Sequence, residues 1–278
     1  MTPAKTRIAQ RFEALRATGQ MGLVAFLTAG DPSLAATESF VLALADAGAD
    51  VIELGVPFSD PVADGPAIQR SSERALRAGT TLAGVLDLVG RIRAKSDVPL
   101  VIFSYFNPVL QMGIESFASR AAAAGADGVL ITDLTPEEAS DYYRTVQAHG
   151  LDTLFLAAPT SPDQRLALIS RMTSGFLYVI SRTGVTGTRE SLPQELPMLI
   201  RRVRQATPLP VAVGFGISLP GQVSLLGGIA DAAVVGSALV EEIERAPDVE
   251  AARAALVARV RMLKQAGTSG LSRREPIA

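Results

Sequence analysis

The chain has 278 residues, 48% of them apolar and 19% charged. With 26 Lys plus Arg against 28 Asp plus Glu it is nearly neutral, which removes the electrostatic case for nucleic acid or an anionic membrane as its main partner. It has no cysteine, one histidine (His149) and three lysines (Lys5, Lys95, Lys264), so disulfides, thiolate nucleophiles and iron–sulfur clusters are excluded.

In chain order, Met1 to Gly19 carries Lys5, Arg7, Arg11, Glu13 and Arg16 and has no apolar core of a signal peptide. Ile8, Phe12 and Leu15 fall at i, i+4 and i+7, which predicts an amphipathic helix over about residues 1–18. No apolar run approaches the ~18 residues of a membrane span, so a cytoplasmic location is expected. Eight short apolar runs follow: Met21–Ala29, Val51–Val56, Leu100–Phe106, Gly128–Thr132, Thr153–Ala158, Phe176–Ser181, Pro210–Gly214 and Ala232–Val235. They are rich in Val, Ile, Leu and Ala throughout, as strands buried on both faces are. Helical periodicity fills the gaps, for example Leu82, Val85, Leu86, Val89 and Ile92 on one stripe. The phrase Ala-Gly-Ala-Asp precedes two of the runs, at 47–50 and 124–127, placing glycine at a helix end before a tight turn. Gly267 to Ala278 lacks periodicity and is expected to be a disordered tail. Eight β–α units in one chain predict an α/β fold, a TIM (β/α)8 barrel with an extra N-terminal helix, forming a single domain over 1–278. An open doubly wound sheet is the alternative, and eight evenly spaced parallel strands favour closure.

In such a barrel, function sits in the loops after strand C-termini. Two are longer than the usual ~2–6 residues: Pro57 to Gly79 and Arg182 to Leu192. Glu53 lies inside the second strand among apolar neighbours, where burial raises a carboxyl pKa and suits acid–base chemistry. A structural ion pair is the competing reading. Asp60 precedes Pro and Asp64 precedes Gly, ordinary turn chemistry, yet Asp64 also lies in a long loop one element from Glu53. Toward the C-terminus, Gly214 and Gly216 close the seventh strand, and Gly236-Ser237 closes the eighth and opens a helix. Loops after strands seven and eight and a helix N-terminus are a recurrent phosphate site, although glycines also simply make turns.

Scarcity then separates mechanisms. All three lysines fall in or at the ends of helical segments, which disfavours a Schiff base, and a lone histidine at a helix end disfavours both imidazole-held metal and a Ser–His–Asp triad. Carboxylate acid–base chemistry on a phosphorylated small molecule remains, with Tyr105 and Tyr178 near strand ends as helpers or as core filling.

From about Arg11 to Leu239 the chain resembles the tryptophan synthase α subunits. Glu-Leu-Gly-Val-Pro-Phe-Ser-Asp-Pro-Val-Ala-Asp-Gly-Pro (53–66) and Ser-Arg-Thr-Gly-Val-Thr-Gly (181–187) are the most specific pieces. Phe-Leu-Thr-Ala-Gly-Asp-Pro (26–32), Tyr-Phe-Asn-Pro (105–108) and Gly-Phe-Gly-Ile-Ser (214–218) match in order. The resemblance implies a TIM barrel that cleaves indole-3-glycerol phosphate to indole and glyceraldehyde 3-phosphate without metal or Schiff base. It puts the proton-shuttling glutamate on Glu53, the indole N–H acceptor on Asp64 and a neighbouring tyrosine on Tyr178. Phe26, Phe103 and Leu130 fall where the family encloses the indole, Gly187, Gly216, Gly236 and Ser237 where it binds phosphate, and Thr186 on a lid. It further implies an α2β2 complex whose β subunit carries pyridoxal phosphate, no cofactor in this chain, and docking through Asp60 and the segment from Asn107 to Gly113. The family's Pro-Asp-Leu-Pro after strand four is Thr-Asp-Leu-Thr (132–135) here. A stand-alone indole-3-glycerol-phosphate lyase is an alternative. A phosphate-binding barrel that mainly activates a partner is another, against which Glu53 and Asp64 argue.

Overall fold

A computed structural model describes residues 6–181, 193–214 and 216–269. Its strands are β1 (Gly22–Thr28), β2 (Val51–Gly55), β3 (Leu100–Ser104), β4 (Gly128–Ile131), β5 (Asp152–Leu154), β6 (Leu156–Ala157), β7 (Leu177–Ile180), β8 (Val211–Gly214) and β9 (Ala232–Val235). Its helices are α1 (Arg7–Ala17), α2 (Leu34–Ala47), α3 (Pro66–Arg77), α4 (Leu82–Arg93), α5 (Phe106–Met112), α6 (Ile114–Ala124), α7 (Ser140–Ala148), α8 (Asp163–Met172), α9 (Leu196–Ala206), α10 (Pro220–Leu226), α11 (Ser237–Arg245) and α12 (Val249–Ser269).

All paired strands run parallel, in the order β5-β4-β3-β2-β1-β9-β8-β7-β6. The fifth expected strand is broken at Phe155 into β5 and β6, one bonded to β4 and the other to β7, and this broken strand closes the (β/α)8 barrel. Side-chain alternation sorts the strand residues into two apolar layers. Val24, Phe26, Val51, Val101, Phe103, Leu130, Leu154, Tyr178, Ala212 and Val234 fill the barrel interior. Leu23, Ala25, Ile52, Leu54, Ile102, Val129, Val179 and Val213 pack outward against the helices.

Helix α1 plugs the lower mouth, where strands begin. The Thr6 side chain accepts from the amide of Ala9 as N-cap, and Ile8, Phe12 and Leu15 enter the interior cluster, with the Phe12 ring 5.5 Å from Phe176. Its outer face is tied by charge. Arg11 and Lys264 bind Asp50, and Arg7 and Arg93 bind Asp127. Each aspartate also accepts a strand amide, from Leu23 at 2.6 Å for Asp50 and from Leu100 at 2.8 Å for Asp127. Asp231, ahead of β9, repeats the device with the amide of Val211 and Arg204.

Two differences from the sequence reading concern helices. Much of the expected long loop Pro57 to Gly79 is helix α3, which starts from Gly65 with Pro66 in its first turn. Its buried face is Ala67, Ile68, Ser71, Ser72 and Ala75, small residues that leave no strong apolar stripe in the sequence. Helix α12 runs on through Ser269, past the expected start of the tail at Gly267, because that glycine packs closely against Met21 and Val223. Among the described residues no helix is long and apolar enough to cross a membrane.

Candidate active site

The upper mouth of the barrel, at the strand C-termini, gathers the candidate residues. The β1–β2 register sets Phe26 opposite Glu53, and the β2–β3 register sets Gly55 opposite Phe103. The Phe26 and Phe103 rings meet edge to face at 5.2 Å. A Cβ at Gly55 would lie 2.5 Å from the Phe26 ring, so the missing side chain is the space that ring occupies. Gly214 does the same for Tyr178, whose hydroxyl would lie 2.3 Å from a Cβ there.

Glu53 is wholly buried, and neither carboxyl oxygen has a hydrogen-bond partner among the described residues. Loss of water without compensation pushes its pKa up to about 8. Asp64 is buried at the end of the loop leading into α3. Desolvation raises its pKa to about 6, opposed by the Tyr105 hydroxyl, which donates to Oδ2 at 3.1 Å. That hydroxyl accepts from the amide of Ala63 at 3.0 Å, and Gln69 Nε2 donates to the Asp64 carbonyl at 2.9 Å, so the loop is held on three sides. Tyr178 stays a phenol, since burial first and the Glu53 charge second raise its pKa well above the ordinary value.

Phe26, Glu53, Asp64, Phe103, Tyr178, Gly216, Gly236 and Ser237 line one pocket, joined by Ile68, Ile217 and Val234, which sequence reasoning missed. Those three carry no signal in the sequence, because an apolar residue facing a ligand reads like one facing the core. The remaining candidates stand elsewhere. Leu130 is buried in the interior, in register with Phe103, but is not in the pocket wall. Tyr105 stands behind Asp64 rather than in the wall, and its ring lies 5.1 Å from Phe58. Gly214 lies under Tyr178, so its lack of a side chain serves the tyrosine rather than an anion. Asp60 and Asn107 are exposed, outside the pocket. Thr186 and Gly187, like Phe215, lie outside the described residues.

Among the glycines of the pocket wall, Gly216 has φ +93°, a backbone that favours glycine. Gln222 Oε1 accepts from the amides of Ser218 and Leu219 at 2.8 and 2.9 Å and shapes the turn that follows. Gly236 caps α11 and Ser237 opens it, and the amides of Ser237 and Ala238 precede the first hydrogen bond of the helix, from Leu239 to the Gly236 carbonyl at 2.8 Å, so they can bind an anion along with the helix dipole. Of the lysines, Lys95 pairs with Glu38 and Lys264 with Asp50, both away from the pocket, while Lys5 lies outside the described residues. His149 caps the end of α7 against Glu115, at 2.8 Å. Asp133, in the departing segment 132–135, accepts the amide of Phe106 at 2.7 Å and so fixes the start of α5.

The sequence and the fold are both similar to those of known proteins. The family model described as tryptophan synthase alpha chain matches residues 12–268. A tryptophan synthase alpha chain of Solibacter usitatus is 53% identical over 260 residues, covering 94% of this chain and 97% of that one. One of Geobacter sulfurreducens is 50% identical over 248 residues, covering 89% and 94%. The solved tryptophan synthase subunit alpha of Legionella pneumophila superposes with a TM-score of 0.86 at 37% identity, over 96% of this chain and 100% of that one. A chain of Mycobacterium tuberculosis tryptophan synthase gives 0.86 at 35% identity, over 95% and 99%. Sequence and fold agree over nearly the whole length, and the chain belongs to the tryptophan synthase alpha chain family.

Proposed function

We propose that Glu53 and Asp64 perform the retro-aldol cleavage of indole-3-glycerol phosphate to indole and glyceraldehyde 3-phosphate, the alpha reaction of tryptophan synthase, in a cytoplasmic complex with a β chain. The observation that carries this reading is a fully buried Glu53 carboxyl, without a hydrogen bond among the described residues, in a pocket shared with Asp64, Gly216, Gly236 and Ser237. With pKa values of about 8 and about 6, one proton resides on Glu53 and none on Asp64 at neutral pH. Glu53 then delivers its proton to indole C3, and Asp64 accepts the ring N–H as positive charge develops. The Glu53 carboxylate next takes the proton of the glycerol hydroxyl. The C3–C bond breaks, its electrons restore the aromatic ring, and the hydroxyl carbon becomes the aldehyde. Amides around Gly236 and Ser237 hold the phosphate throughout. Phe26 and Phe103 flank the indole in a space that excludes water, while Tyr178 stands beside Glu53 as a neutral hydroxyl.

Glu53→Gln keeps the shape and removes the proton shuttle. An indole-release assay is expected to show turnover lower by about 10³-fold with substrate affinity retained, and near-wild-type turnover would remove Glu53 from the mechanism. The pH profile of kcat/KM for the free chain is expected to be a bell with limbs near pH 6 and 8, since cleavage needs ionised Asp64 and protonated Glu53. A flat profile across that window would contradict the assignment. Running the same assay with and without a cognate β chain separates the paired enzyme from a stand-alone lyase. Exposed Asp60 and the exposed Asn107 face of α5, joined through the Phe58–Tyr105 ring contact, support docking there.

A further inference from the structure

Helices α3 and α11 each connect one end of the site to the rest of the fold. The N-cap of α3 directly follows Asp64, and α11 opens with Ser237. Apolar packing between them is slight and non-directional: Ile68 and Val240 share the interior cluster, and the rest of the buried face of α3 is Ala and Ser. A flat face of small residues leaves the sliding register of the two helices weakly specified.

Charged forks specify it instead. Arg74 sends Nε and Nη2 to the two carboxyl oxygens of Asp31, at 2.8 and 2.7 Å, and Nη1 to Glu244 Oε1 at 2.9 Å. Arg70, one turn earlier on the same face, grips both oxygens of Glu244 at 2.7 Å. Asp31 is buried just beyond β1, and a Thr28–Ser71 hydroxyl contact of 2.6 Å adds a second tie between β1 and α3. Isolated surface ion pairs contribute little. Here two forked pairs, Arg74 on Asp31 and Arg70 on Glu244, are joined by the single Arg74–Glu244 bond, which adds geometric specificity to charge. Glu244 is correspondingly held as a strong acid, with its pKa lowered to about 2, chiefly by Arg70.

We propose that the Asp31–Arg74–Glu244–Arg70 ladder sets the distance between the indole end of the site at Asp64 and the phosphate end at Ser237. Arg70, Arg74 and Glu244 are then positioning residues that tune the enzyme to the length of its substrate. The inference rests on the assignment of Asp64 and Ser237 made above. A ligand that fills only the phosphate end does not sense the ladder, and one that spans both ends does.

The test uses the full chain and two probes, glycerol 3-phosphate and an indolylpropyl phosphate. Glu244→Gln removes the shared carboxylate charge, and Arg74→Lys keeps a cation while losing the fork. Each is expected to weaken the indolylpropyl phosphate and to lower kcat/KM by about tenfold, with glycerol 3-phosphate affinity and the circular dichroism spectrum unchanged. Adding Arg70→Met to Glu244→Gln is expected to cost little more, because both act through one contact. Equal weakening of both probes would mean damage to the phosphate site itself, and wild-type behaviour of both variants would mean a surface ornament. Either result overturns the proposal. Asp64→Asn in parallel separates the two levels. If it leaves turnover and the long probe unaffected, the site assignment falls and the ladder with it, whereas an impaired Asp64→Asn beside a wild-type-like Glu244→Gln sinks the ladder alone.

Discussion

The anchoring carboxylates of the lower mouth and the pocket-lining carboxylates of the upper mouth are treated in opposite ways. At the lower mouth the buried Asp50 and Asp127 and the half-buried Asp231 each receive a strand amide and at least one cation. At the upper mouth, among the described residues, the Glu53 carboxyl receives no hydrogen bond and the Asp64 carboxyl only that of one phenol. Burial alone therefore does not mark a site. What marks it is burial without compensation, which leaves a carboxyl group a proton to exchange at neutral pH. The lower mouth uses the same chemistry to anchor α1 and α12, so the fold spends its complementary charge where nothing reacts.

The contrast is sharpest in stability. Unfolded Glu53 ionises above pH ~4.5, whereas folded Glu53 keeps its proton until about 8, so the contribution of Glu53 to stability is greatest below 4.5, falls as pH rises through that window and levels off above it. Glu53→Gln removes this penalty. Its urea unfolding curve is expected to gain on the wild type with rising pH, by on the order of 5 kcal/mol above pH 8 and by almost nothing near pH 4. Parallel pH curves for the two proteins would erase the distinction between the mouths. In the reverse direction, Asp50→Ala strands Arg11, Lys264 and the Leu23 amide, and is expected to cost about 3 kcal/mol in chemical denaturation while turnover per folded molecule stays the same. A loss of activity without a loss of stability would place that aspartate on the wrong side of the comparison. Smallest is Gly214→Ala, whose methyl group collides with the Tyr178 hydroxyl. A cost of about 1–3 kcal/mol together with reduced turnover is expected, and unchanged kinetics would show that Tyr178 can move without consequence.

Much of this was legible before any coordinates. Continuous apolar runs locate the strands because both faces of a parallel barrel are buried, and the i, i+4, i+7 spacing of Ile8, Phe12 and Leu15 locates helix α1. The break at Phe155 was not legible, since that residue is as apolar and as buried as its neighbours. Helix α3 was hidden by the small residues of its buried face. For the site, Glu53 stood out because a carboxylate in an apolar strand is rare, while Gly214 misled because a glycine reports only that a side chain is missing and not what fills the gap. Ile68, Ile217 and Val234 were invisible for the opposite reason, since nothing in their chemistry distinguishes a ligand-facing wall from a core.

The broken fifth strand carries a further consequence. At Phe155 the ring is sewn by side chains. The amide of Thr153 donates to Ser174 Oγ at 3.1 Å, the amide of Ser174 returns to the Thr153 carbonyl at 2.8 Å, and Gln147 donates to both hydroxyls. Everything before this point supplies β1 to β5 and everything after it β6 to β9, and the strand ladder that joins the two sets is that between β1 and β9. The barrel is thus two arcs, each contiguous in the chain, and a cut in the backbone beside Phe155 would sever no strand pairing at all.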